Sequence, residues 1–173
     1  MNSLSLKMLN GLLFHTLWWG CVAGTKLGYH YFGILITLIF LTIHFRFISD
    51  IKNEFRFIAI CFLVGLAVEL AHLHFNLLQY NGYIFDNNFI PPLWILCMWI
   101  GFSATVNHSM KWLNDRWILM IILGGVFGPL SYIAGYNLDV IIFLMDFNIT
   151  VIVLGVIWAM SIPLMYKINK ILN

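Results

Sequence analysis

Six stretches of the chain stay apolar long enough to cross a membrane as helices, and the polar positions gather between them. A helix needs roughly 20 apolar residues to span the hydrocarbon core, and only helices and closed barrels satisfy their backbone there. The runs are too long and continuous for barrel strands, whose two sides alternate. The pattern predicts spans at about 5–24, 28–48, 56–76, 92–108, 117–134 and 147–167, the fourth and fifth being short. Gly24 to Gly28 reads as a tight turn, Ser49 to Glu54 as a polar connection, and Asn81 to Pro92 as the longest loop. In that loop Asn81-Gly82 and Asn87-Asn88 are turn formers, and Pro91-Pro92 can open the fourth helix, whose first turn does not use the missing amide donors. Residues 136–146 are left open: the apolar run Val140 to Met145 either extends the sixth helix or lies in the interface.

Composition strengthens this reading. The 173 residues are 62% hydrophobic and 9% charged, whereas a soluble domain carries about a quarter charged residues. So few charges cannot form a polar shell, and lipid must cover most of the surface. A net charge of +2, with basic residues scattered singly, excludes a nucleic-acid-binding stripe. Cys21, Cys61 and Cys97 fall inside apolar runs, with no CxxC pair and no disulfide framework. The first run continues through Trp18 and Trp19 to Gly24 without a small-residue cleavage site, so it is expected to be retained as a helix instead of removed as a signal peptide. There is no internal repeat, and 1–173 reads as a single transmembrane domain.

The cations set an orientation. With the N-terminus in the cytoplasm, Lys7, Arg46, Lys52, Arg56, Lys111, Arg116, Lys167 and Lys170 are all cytoplasmic, and only Lys26 is outside. The two long outer connections carry Asp86, Asp139 and Asp146 with no basic residue. An odd number of spans would break this alternation. The expected fold is therefore all-α: a polytopic bundle of six transmembrane helices in the cytoplasmic membrane, both termini inside.

Ionisable groups within a membrane are costly and are functional candidates for that reason. Glu69 is the sharpest, in the outer half of the third span, with His72 three residues on along the same helical face. The pair can share a proton; the bland alternative is a carboxylate hydrogen-bonded to a neighbouring helix. At the same depth lie Tyr132, Trp94, Cys97 and the Trp18, Trp19 pair, with His15 somewhat deeper. Gly124, Gly125 and Gly128 ahead of Pro129 suggest close packing and a kink in the fifth helix. Glu-x-x-His also serves di-iron proteins, but those use two copies and further carboxylates. Here one copy stands with no second intramembrane carboxylate, so no metal and no other cofactor is expected.

A second group, Thr105, Asn107, His108 and Ser109, falls at the cytoplasmic end of the fourth helix near His44 and Arg46. It either caps and anchors that helix or, with Lys111 and Arg116, contacts a lipid headgroup. Helical rise places it about 20 Å from Glu69 along the membrane normal, so the two groups are not one site.

Pro91-Pro92-Leu93-Trp94, then Trp99, Phe102, Thr105, Asn107-His108-Ser109 and Trp112-Leu113, form a distinctive series. With Gly128-Pro129-Leu130, Tyr132 and Gly135, and with Asn10, Trp19 and Cys21-Val22, the chain resembles an uncharacterised family of small bacterial inner-membrane proteins, a domain of unknown function. The resemblance covers nearly the whole chain. It implies that Glu69 occupies the family's acidic position, usually aspartate, and that members are often encoded near fatty-acid-modifying methyltransferases.

Three functions follow as expectations. The first is an enzyme or accessory subunit acting on a membrane lipid, with Glu69 and His72 as acid and base, Tyr132 as donor, and Trp94, Asn107, His108 and Lys111 as substrate or headgroup contacts. The second is a structural partner of another membrane protein. The third is a small proton-coupled transporter in which Glu69 titrates, although only one Gly/Pro-interrupted helix is found where paired broken helices are usual.

Overall fold

The structure, a computed structural model, describes residues 3–84 and 89–172. Within them the apolar runs form six α-helices: α1 (Ser3–Lys26), α2 (Phe32–Phe45), α3 (Ile51–His74), α4 (Leu93–Val106), α5 (Trp117–Asn137) and α6 (Phe147–Leu172). Three of them, α3, α5 and α6, are long and apolar enough to cross a membrane. Helix α1 has the length at 24 residues but carries more polar positions. Helices α2 and α4 are shorter than predicted: 14 residues each, about 21 Å of rise against a hydrocarbon core of about 30 Å.

Helix α3 begins five residues before its predicted start, for a local reason. Asp50 caps it, its side chain accepting from Asn53 N at 3.1 Å and from Asn53 Nδ2 at 2.8 Å. Glu54 thus belongs to the first helical turn and not to a connection. The backbone amide dipoles favour an acid there.

Helices α3 and α5 end alike. After α3, Asn76 takes a positive φ of 50°, Leu77 N reaches His72 O at 2.9 Å, and Asn76 N reaches Leu73 O at 3.1 Å. After α5, Asp139 takes a φ of 57°, Val140 N reaches Gly135 O at 3.0 Å, and Asp139 N reaches Tyr136 O at 3.0 Å. These are paired Schellman closures, with asparagine and aspartate filling the left-handed position usually held by glycine. Each turns the chain into a three-residue strand, β1 (Leu78–Tyr80) and β2 (Ile141–Phe143), and the two pair antiparallel with Leu78 opposite Phe143 and Tyr80 opposite Ile141. The segment 136–146 therefore does not extend α6: it holds the end of α5, the closure at Asp139 and the strand Ile141–Phe143, and among the described residues the fold is helical apart from this two-stranded pair.

The helices alternate in direction. Asn10 of α1, His44 of α2, Glu54 of α3, Asn107 after α4 and Tyr166 of α6 meet at one end, joined by side-chain hydrogen bonds. The strands, the Lys26–Asp139 ion pair and the Trp94 Nε1 to Asn81 O bond of 2.8 Å close the other. Gly82 turns there with φ of 84° as the Asn-Gly pair predicts, whereas Asp86, Asn87 and Asn88 lie outside the described residues.

Helix α5 runs unbroken through Pro129. Its glycines serve close packing: a Cβ on Gly124 would lie 2.4 Å from Trp158 O, and one on Gly128 would lie 2.2 Å from the Trp158 ring. Their absence seats α6 directly on α5.

Candidate functional site

Glu69 has no exposed surface. An unpaired carboxylate at that depth would cost several kcal/mol, and four donors converge on it instead. Oε1 accepts from Trp99 Nε1 at 2.8 Å and from Tyr132 OH at 2.5 Å. Oε2 accepts from His72 Nδ1 at 3.1 Å and from the Tyr80 hydroxyl. An ionised carboxylate offers about four lone-pair positions, and all are taken.

Each donor arrives by a traceable route. His72 is one helical turn from Glu69 on α3. Tyr80 comes from β1, where the closure at Asn76 reverses the chain and strand alternation points Leu78 and Tyr80 inward, both buried. Tyr132 comes from α5, and its ring stands edge-on to His72 at 5.8 Å. Trp99 comes from α4 through a slot in α3: a Cβ on Gly65, one turn before Glu69, would lie 2.3 Å from the indole. On its other face Trp99 stacks on Trp158 at 4.9 Å and 15°, which the glycine at 128 brings within reach.

Glu69, His72 and Tyr132, singled out in the sequence, thus come together. Trp94 does not touch the carboxylate; it is buried edge-on against Tyr80 at 6.1 Å and holds the Asn81 carbonyl. Tyr80 and Trp99 were not anticipated as site residues. The alternation Leu78-Gln79-Tyr80 is the signal that could have found the first, and no local signal identifies the second. The imidazole of His72 has one atom to spare: Nε2 is buried with no hydrogen-bond partner among the described residues.

A second carboxylate lies at the opposite end of α3. Glu54 is 6% exposed, fifteen residues from Glu69, or about 22 Å along the helix. Its Oε1 faces His44 Nε2 at 3.2 Å and His108 Nε2 at 3.1 Å, and Oε2 accepts from Asn107 Nδ2 at 2.9 Å. Asn10 braces this group: its Nδ2 donates to Ala104 O at 3.1 Å and lies 3.4 Å from His44 Nδ1, while its Oδ1 accepts from Ser109 N and Oγ. The sequence brought His44, Asn107 and His108 to one end of the molecule but left out the acid that organises them. Beside Glu54 a polar cavity of about 420 Å³ opens past Asn107, His108 and the exposed Lys111.

A third feature is almost wholly apolar. Between α1, α4, α5 and α6 lies a cavity of about 430 Å³ walled by Trp18, Met98, Phe102, Leu123, Phe127 and Ile162. Trp99 and Tyr132, two of the donors to Glu69, form part of its lining, and Met110 and Trp112 line it too.

No curated protein and no solved structure matches this chain. Residues 7–164 match the family described as a protein of unknown function, DUF2878, and the chain, with a saturated carboxylate at one end of its helices and a histidine-flanked one at the other, belongs to that family.

Proposed function

We propose that the protein is an integral protein of the bacterial inner membrane, one domain of six spans with both termini cytoplasmic, and that it holds the acyl chain of a membrane lipid in the cavity between α1, α4, α5 and α6. The cavity carries the reading. A space of about 430 Å³ lined by aromatic, Met and Leu side chains suits hydrocarbon, and its place among apolar helices gives lipid the first claim on it. Alternating helix direction and the eight cations at one end support the orientation.

In this reading Glu69 is a fastener. It ties α3, β1, α4 and α5 together and fixes Trp99 and Tyr132 in the cavity wall. His72, its Nδ1 beside Glu69 and its Nε2 buried, stands behind Tyr132 and is not part of the cavity lining, so no acid–base step on the lipid is assigned to it. A transporter cycle driven by Glu69 is less favoured, because its acceptor positions are filled. A lipid carrying a photoactivatable group midway along its acyl chain tests the proposal. Cross-links should map to Met98, Leu123 or Phe127, and Leu123→Trp should abolish them. Labelling confined to the outward-facing Ile118, Ile122 and Ile152 would overturn it.

A further inference from the structure

The Glu54 cluster is separate from the cavity and from the Glu69 network, and its chemistry is different. Glu69 is surrounded by two tyrosine hydroxyls, one indole and a single imidazole, so only His72 could join it in holding a cation. Glu54 is flanked by two imidazoles whose Nε2 atoms aim at the same carboxylate oxygen. We propose that His44, Glu54 and His108 form a binding site for one divalent transition-metal ion of the zinc type, with an open coordination position toward the polar cavity.

The ligand set is the first argument. Two imidazoles and a carboxylate are the protein ligands of many catalytic zinc sites and of facial-triad iron sites. Distance is the second. With metal–ligand bonds of about 2.0–2.1 Å, tetrahedral ligand atoms stand about 3.3 Å apart. The His44–Glu54 and His108–Glu54 separations are 3.2 and 3.1 Å. All three ligand atoms lie within 4.8 Å of one another, and His108, whose side chain is 27% exposed, has the freedom to close the remaining edge.

Preorganisation is the third argument. The three residues come from the end of α2, the first turn of α3 and the turn after α4, so the site exists only in the folded bundle. Asn107 holds the second carboxylate oxygen, leaving Oε1 to a single ion, which is the outer-shell support that ligating carboxylates usually have. Access is the fourth. Glu54 and His108 face the cavity of about 420 Å³, and His44 and His108 face a smaller one of about 50 Å³ on the other side, so an aquated ion can reach the ligands and keep a water.

Tag-free protein in mild detergent, stripped with chelator, is titrated with Zn2+ against a chromophoric competitor. Wild type should bind one equivalent. His108→Ala, on the partly exposed turn, should weaken it by more than about 100-fold, and Asn107→Ala by roughly 10–100-fold. His74→Ala, far from the cluster, should change nothing. Loading with Co2+ should give intense visible bands of a four-coordinate site, lost in His108→Ala and in Glu54→Gln. Absence of stoichiometric Zn2+ binding by wild type, or retention of it in His108→Ala and His44→Ala alike, would overturn the assignment. Circular dichroism of each variant separates loss of ligand from loss of fold.

Discussion

Tyr132→Phe removes one hydroxyl and almost nothing else. The ring keeps its place against His72 and Trp158, and Trp99 still donates to Oε1 at 2.8 Å. What disappears is a 2.5 Å bond between groups that are 3% and 0% exposed. A hydrogen bond to a charged acceptor contributes about 1.5–3 kcal/mol, whereas neutral bonds between membrane helices average about 0.6 kcal/mol. If Glu69 is an ionised carboxylate, the substitution should cost about 2 kcal/mol or more. In a Glu69→Gln background it should cost only about 0.6 kcal/mol, a difference readable as a double-mutant coupling above about 1 kcal/mol. Reversible unfolding in mixed detergent micelles supplies the four free energies. Equal costs in both backgrounds would refute the idea of a charged group held by four donors.

Other perturbations probe the supports of both sites. Gly65→Ala places a methyl against the Trp99 ring and should cost about 1–3 kcal/mol; Trp99→Ala should relieve most of that penalty, and an undiminished cost would show that the slot is not what matters. At Asn76, φ of 50° makes glycine an improvement and a β-branched residue a burden. Asn76→Gly should be neutral or slightly stabilising and Asn76→Val destabilising by about 1–2 kcal/mol, and the reverse order in unfolding midpoints would contradict the Schellman closure. Asn10 Nδ2 donates to Ala104 O and faces His44 Nδ1, so Asn10→Ala should loosen His44 and weaken zinc binding by roughly tenfold; unchanged affinity would show that Asn10 does not position that ligand.

Long apolar runs made the helices legible, although their lengths differ, from 14 residues in α2 and α4 to 26 in α6. Where local chemistry competed, the run alone misled. Asp50 and Asn53 cap α3 early, and that cap, readable in retrospect as an Asp followed three residues later by a side-chain donor, is what brought Glu54 into the helix. Asn76 reads as the last residue of the third span and 136–146 stays open between helix extension and interface, because a strand of three residues draws its stability from a partner about sixty positions away, which no window along the chain contains. The same limit applied to the Glu69 site. His72 was found by helical spacing and Tyr132 by depth, since both are regular properties of one helix. Tyr80 and Trp99 reach the carboxylate only because Asn76 reverses the chain and Gly65 leaves a slot, and Trp94, at a suitable depth, faces the hairpin instead.

The most direct measurement is the lipid content of the purified protein by native mass spectrometry, comparing wild type with Leu123→Trp and Ser131→Phe, which fill the cavity between α1, α4, α5 and α6. Wild type is expected to retain one diacyl lipid through detergent exchange and both variants to lose it while remaining folded. Wild type free of lipid, or variants that retain it equally, would contradict a cavity built for an acyl chain.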